Sequence, residues 1–274
     1  MRLLFVVSRL FMSEPLGTMQ LISICKAAGH QVRLADISRG DVVRTVLDWN
    51  PAVLAYSVMT SDLPAFVALD KRAKKECDAA NKDIFRIMGG PHPTHNPQIV
   101  SQLGLDCICQ GEGDKALPRL LERLERNEPI DDIPNIAVTS SGAITKELVS
   151  DLDELPFLDR HEIYKTAPQY KFCGLRSFLA SRGCPYHCAY CLNNALNALF
   201  SNCGTIFRRR SVDNLISEIE YVLKEFAPVK FVRFGDDTFT HGADDWLVEF
   251  SQKYSSRVGI PFYCLMRSNT LTEE

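Results

Sequence analysis

The sequence predicts an α/β protein: a doubly wound array over roughly residues 1–140, a connector over 141–169, and a second β/α array over 170–274. Three observations carry this. Apolar runs of strand length alternate with helical patterns as far as Arg126, the alternation breaks between 128 and 164, and it resumes near Ser177. Strands buried on both faces and separated by helices imply a parallel sheet covered on its two sides.

In chain order, Leu3–Val7 is the first strand. It is too short for a signal-peptide core and soon meets Arg9 and Glu14. Further strands are expected at Val32–Ala35, Val53–Ser57, Ile84–Met88 and Cys107–Gln110. Helical patterns lie between them near Met19–Ala28, Asp41–Trp49, Pro64–Ala80 and Ala116–Arg126. Two short β-like runs flank Ser140-Ser141-Gly142, a hairpin signature. The proline-marked stretch DLDELPFLDRHEIY (151–164) reads as a connector. Beyond it come a strand at Ser177–Ala180, a helix at Val212–Phe226 with Ser211 as N-cap, and a strand at Val229–Phe234. A helix at Asp244–Tyr254 and a strand at Pro261–Met266 follow, and TLTEE closes the chain as a helix start signal. Three β/α units do not close a barrel, so the second domain is expected to be incomplete at its C-terminus.

Composition narrows the function classes. Of 274 residues, 46% are hydrophobic and 24% charged, and the net charge of -3 gives no electrostatic case for nucleic acid. No run approaches the roughly 18 apolar residues of a membrane helix, and a cytoplasmic setting is the expectation. In that setting, tightly spaced cysteines suggest metal or redox chemistry more than disulfides. Of the ten cysteines, seven are scattered and read as packing residues.

The other three fall in SRGCPYHCAYC (181–191), which places Cys184, Cys188 and Cys191 at C-x3-C-x2-C directly after a strand. Ligands and reacting groups collect at strand C-termini in parallel α/β domains. Three thiolates can hold three corners of a [4Fe–4S] cluster and leave one iron open. Structural zinc is the alternative, with His187, Cys203 or Cys173 supplying a fourth ligand.

With an aromatic residue before its last cysteine, CPYHCAYC resembles the signature of the radical S-adenosylmethionine (SAM) superfamily. That resemblance implies that Cys184, Cys188 and Cys191 ligate the cluster, that SAM chelates the open iron, and that Tyr190 packs near its adenine. It also implies reductive cleavage of SAM to methionine and a 5′-deoxyadenosyl radical, fed by an electron donor such as flavodoxin or ferredoxin. In KFVRFGDDTFT (230–240), Asp236 and Asp237 take the place of the family's Gly-Gly-Glu stretch near the SAM ammonium, although Asp237 equally suits an N-cap. Arg267 is a candidate partner for the SAM carboxylate.

EPLG (14–17), GGPHPTHNP (89–97), GEG (111–113) and LPFLDRHEIY (155–164) extend the resemblance over the whole chain to the cobalamin-dependent (class B) radical SAM enzymes. The fold so implied is a Rossmann-like cobalamin-binding domain followed by the first half of a partial radical SAM barrel. On the family's cobalamin pattern, Gly17 aligns with the first glycine, Ser57-Val58-Met59 with Ser-x-Leu, and Gly89-Gly90 with the last pair. Ser57 would then bond the dimethylbenzimidazole. The family's aspartate becomes Met12 and its cobalt-ligating histidine becomes Glu14. The lower face would therefore lack its usual imidazole, leaving His92 or His95 as neighbours. GGPHPTHNP is equally a tight strand-to-helix turn, and Glu112 either caps the next helix or touches a cofactor amide.

The implied reaction is methylation of an unactivated carbon or phosphorus centre in a small molecule: one SAM methylates cob(I)alamin, and a second gives the radical that opens the substrate. Alternatives are a non-methylating cyclase or rearrangement enzyme of the tetrapyrrole type, and a non-catalytic cobalamin- or metal-binding protein. A zinc-stabilised NAD-type protein fits poorly, because SRLFMSEPLG lacks the G-x-G-x-x-G cradle.

Overall fold

The computed structural model describes residues 1–8, 10, 13–139, 144–242 and 244–270. Met12, the hairpin turn at Ser140-Ser141-Gly142 and most of the closing TLTEE lie outside the described residues. The chain divides into two compact units, the first Met1–Glu147 with Leu158–Ala167, the second Leu148–Phe157 with Pro168–Glu274. The division differs from the expected 1–140, 141–169 and 170–274: the stretch expected as a linker is shared between the units instead of standing apart.

The first unit runs β1 (Arg2–Val7), α1 (Leu16–Ala27), β2 (Gln31–Asp36), α2 (Val42–Trp49), β3 (Val53–Ser57), α3 (Leu63–Ala79) and β4 (Phe85–Gly89). It continues with α4 (Pro91–His95), α5 (Ile99–Leu103), β5 (Cys107–Cys109), α6 (Ala116–Arg126), β6 (Ile136–Ala137) and the returning α7 (His161–Thr166). Among the described residues the strands form one sheet in the order β2-β1-β3-β4-β5-β6. Pairing is parallel through β5, and β6 closes the edge antiparallel to β5. β1 is buried from Leu3 to Val7, as a central strand covered on both faces must be. α2 starts where the Asp41 carboxylate accepts the Val43 and Arg44 amides and stops at left-handed Asn50. The core packs Leu4, Val6, Leu54, Tyr56, Met88 and Ile108 against Val46, Phe66 and Cys77 from the helices.

Two motifs distant in sequence meet in this unit. Arg160, fully buried, pairs with Glu14 at 2.8 Å, and the Tyr164 hydroxyl donates to the same Glu14 oxygen at 3.0 Å. Lys26 reaches Asp159 at 2.9 Å and Glu162 at 3.3 Å, and the Asp159 amide donates to the Met19 carbonyl. LDRHEIY is thus a strap on α1. Taking a buried charge from its partner costs about 3–5 kcal/mol, so the strap is firmly held.

The second unit contains β7 (Leu175–Phe178), β8 (Ser181–Arg182), α8 (Leu192–Leu199), β9 (Arg208–Arg209), α9 (Val212–Glu225), β10 (Phe231–Phe234), α10 (Asp244–Arg257) and β11 (Phe262–Tyr263). Its parallel sheet has the order β11-β10-β7, and β8 pairs antiparallel with β9 beside it. Ser211 caps α9 as expected, its hydroxyl accepting the Asn214 amide. Phe234, Phe239, Phe250, Tyr254 and Phe262 form an edge-to-face and tilted aromatic core, with Trp246 stacked on Phe250 at 5.3 Å.

Candidate functional sites

In the first unit β1 pairs β2 on one side and β3 on the other, so the chain reverses its direction of travel across the sheet there. Crevices at such switch points, beyond the carboxyl ends of the strands, are the usual ligand sites of open α/β sheets. A cleft lies here, its walls including Phe5, Ser57, Gly89, Gly90, Thr18 and Leu21. Cys109, Gly111, Gly113, Leu117 and Ile136 complete the side toward β5 and α6. The lining is mainly apolar, with few hydroxyls, which suits a flat heteroaromatic group edged by polar atoms. Burial pushes the Cys109 thiol up to about 12, so it presents a neutral surface.

Gly90 is indispensable to the wall. It sits at φ +97, and a Cβ there would meet the Val58 amide nitrogen at 2.9 Å and the Val58 carbonyl oxygen at 3.0 Å. The Val58 amide donates to the Gly89 carbonyl, and the His92 amide donates to the Val58 carbonyl. The Gly-Gly turn is therefore stitched to the end of β3 with its backbone facing the cleft.

Of the residues aligned with cobalamin contacts, Ser57, Gly89 and Gly90 line the cleft; Gly17, in the first turn of α1, does not, although Thr18 and Leu21 from that helix do. His92 is buried outside the lining with Nδ1 3.2 Å from the Thr60 hydroxyl, and burial lowers its pKa so that it stays neutral. Glu14 is engaged by Arg160 and Tyr164. Glu112 does not cap α6, whose N-cap position is Lys115. Instead its carbonyl accepts from the Asn135 amide group, which also donates to the Glu147 carbonyl. Thr18, Cys109 and Asn135 were not singled out by sequence, since none stands in a recognisable spacing.

The second unit carries the cysteines on the connection from β8 to α8. Gly183, at φ +81, passes so close to Ile206 that a Cβ would run into the Ile206 carbonyl oxygen. Cys184 follows, buried, with its sulfur 3.6 Å from the Thr238 hydroxyl and its carbonyl accepting from Asn197 at 2.8 Å. Cys188 and Cys191 are only partly covered and lie on one turn, the Cys191 amide donating to the Cys188 carbonyl at 3.0 Å. Among the described residues no three His, Cys, Asp or Glu side chains are gathered at one point. His187 is exposed and turned to Asn194 at 3.1 Å.

The candidate SAM residues take different positions. Tyr190 is 93% exposed. Arg267 donates to the Cys188 sulfur at 3.3 Å and stacks over the Tyr186 ring at 3.9 Å. Asp236 is buried, accepting from the Ser181 hydroxyl at 2.5 Å and the Ala180 amide at 3.2 Å, which ties the end of β10 to β8. Burial raises its pKa against the pull of those donors. Asp237 is exposed and caps no helix, because α10 begins at Asp244.

Comparison with known proteins bears on both units. Residues 3–121 match the B12 binding domain family. An uncharacterized methyltransferase of Pyrococcus horikoshii is 26% identical over 241 residues, covering 82% of this chain and 49% of that protein. The hopanoid C-3 methylase of Methylococcus capsulatus is 27% identical over 220 residues, covering 76% and 40%. The anaerobic magnesium-protoporphyrin IX monomethyl ester cyclase of Synechocystis is 27% identical over 198 residues, covering 65% and 37%. In fold, the chain is similar to OxsB, a cobalamin-dependent SAM radical enzyme solved with aqua-cobalamin and SAM bound. The TM-score is 0.76 at 20% identity over 95% of this chain and 38% of that one. The chain spans half or less of the length of these relatives. The resemblance to cobalamin-dependent radical SAM enzymes, first seen in motifs, therefore holds for the α/β fold and for the match of residues 3–121 to the B12 binding domain family. Among the described residues no helix is long and apolar enough to cross a membrane.

Proposed function

We propose that this chain carries the cobalamin-binding domain and the cluster-bearing first part of a cobalamin-dependent radical SAM enzyme that transfers methyl groups. The observation that carries the proposal is the cleft at the β1/β3 switch point, with Gly90 held against Val58 at its rim. Backbone so exposed lets a large planar ligand edge approach closely, and the neutral lining takes an aromatic tail without stranding a charge.

Cobalamin, a [4Fe–4S] cluster and SAM, when bound, would supply methyl carriage and radical generation. The chain's own part is ligation, orientation and exclusion of water. Ser57, which lines the cleft at the end of β3, would offer its hydroxyl to a ring nitrogen of a buried base. Cys184, Cys188 and Cys191 form a thiolate donor set that suits iron–sulfur ligation. Cys184 is the anchored member, gripped through Thr238 and Asn197, while the other two sit partly exposed on one turn. Arg267, already beside Cys188, would be a cation for the carboxylate of a bound SAM.

Methyl transfer is favoured over cyclisation by the two relatives named methyltransferase and methylase. The cyclase relative keeps a tetrapyrrole-type reaction as the second reading. The test is to purify the chain, reconstitute it with iron and sulfide without oxygen, add hydroxocobalamin, and measure iron, cobalt and SAM consumption. About four irons and one cobalt per chain support the proposal. Zinc in place of iron, or no retained cobalt, contradicts it.

A further inference from the structure

The cleft of the first unit has two walls with separate backbones. One is the Gly89-Gly90 turn after β4, the other the Gly111–Gly113 turn after β5. A buried side chain, Thr94 of α4, joins them. Its hydroxyl donates to the Gly90 carbonyl at 2.8 Å and accepts the Gly111 amide at 3.0 Å. Its carbonyl accepts Gln110 Nε2 at 3.2 Å, and Gln110 is in turn held by the Asn135 carbonyl at its amide and by Lys146 at its Oε1. Gly111 itself stands at φ +90, and beyond it the turn is held by the Asn135 amide group at the Glu112 carbonyl and by the Leu117 amide at the Gly113 carbonyl.

We propose that Thr94 is the positioning residue that sets the width of the cleft and hence its affinity for the cobalamin tail, resting on the cobalamin assignment above. Thr94 itself is absent from the lining and acts through Gly90 and Gly111. A hydroxyl is needed because the brace requires one donor and one acceptor on the same atom, and only the Ser/Thr side chain offers both at this reach. Valine matches threonine in shape but leaves the partly buried Gly111 amide without its acceptor.

The test compares wild type, Thr94→Val and Thr94→Ser by equilibrium titration of the full chain with hydroxocobalamin, alongside amide hydrogen exchange of the 107–113 segment. Thr94→Val is expected to weaken binding about tenfold and to speed exchange of the Gly111 amide, whereas Thr94→Ser restores both. Exchange of β2, remote from the brace, should not change, which separates a positioning role from general loss of stability. Equal losses in Val and Ser variants, or Thr94→Val binding like wild type, overturn the proposal. Should Thr94→Val fail to fold, Gln110→Met cuts the parallel bond and is expected to weaken binding about threefold; unchanged affinity there also overturns it. Should wild type bind no hydroxocobalamin, the cobalamin assignment fails. The brace is still judged by the Gly111 amide, whose unchanged exchange in Thr94→Val refutes it.

Discussion

The glycine cleft of the first unit and the cysteine loop of the second are both strand-to-helix connections, yet they are built in opposite ways. The cleft's walls are bonded to each other and to β3 before any ligand arrives, and no side chain can be added at Gly90 without striking Val58. The cysteine loop is packed most tightly at its start, by Gly183 and buried Cys184, while Cys188 and Cys191 are only partly covered and Tyr190 is almost fully exposed. The difference follows from how each ligand would be held. A cofactor bound by shape and weak contacts needs a prepared site, because every ordered residue otherwise costs affinity. Metal–thiolate bonds are strong enough to order a loop as they form.

The contrast can be broken most decisively at Cys188. Cys188→Ala is expected to remove essentially all reconstituted iron and the brown colour, while hydroxocobalamin affinity stays at the wild-type value. Iron retained in that variant would end the ligand assignment. Gly90→Ala is the mirror experiment. Its backbone conformation is worth about 1–3 kcal/mol against any other residue, before the clash with Val58 is counted. Its urea midpoint should fall, and cobalamin binding should be lost while iron loading survives. If Gly90→Ala binds cobalamin normally, the cleft is not the site.

Asp236 gives a smaller effect, on the fixed side of the cysteine loop. Burial holds its carboxyl above its ordinary 3.8, so the folded chain binds this proton more tightly than the unfolded chain does. Stability from this group is therefore greatest at acid pH and falls as pH rises from about 3.8 through the folded value. Asp236→Asn should remove that slope, read by urea unfolding across the acid range. It also turns one of the two accepting oxygens into a donor, so the Ser181 and Ala180 bonds must be re-paired, costing about 1–3 kcal/mol. A pH slope that persists in the variant would contradict the burial argument. The smallest effect is expected at Tyr190. Its exposure predicts that Tyr190→Ala changes the stability of the unloaded chain by less than about 0.5 kcal/mol, and a larger drop would show that the loop is already packed.

Much of this was legible in residues 1–126, because buried parallel strands write continuous apolar runs and their turns write glycine. Leu3–Val7, Val53–Ser57 and the helix at Ala116–Arg126 fall where the patterns place them. The Gly89-Gly90 turn was legible for the same reason. Three things were not. The strap from Leu158 to Ala167 looks like a linker because its polar residues satisfy one another across more than a hundred positions, as Arg160 does with Glu14. The double role of Thr94 depends on two backbones brought together by the sheet, which no local spacing records. Asp236 sits in a motif that suggests an exposed contact, but two residues past β10 it continues that strand's alternation and turns inward to Ser181.

The central claim is that the cysteine loop gathers around a cluster with one open iron. The most direct measurement is anaerobic EPR of the iron- and sulfide-reconstituted chain after dithionite reduction, recorded with and without SAM. A [4Fe–4S]⁺ signal that shifts on adding SAM is the predicted result. Bound zinc with no cluster signal would contradict the account.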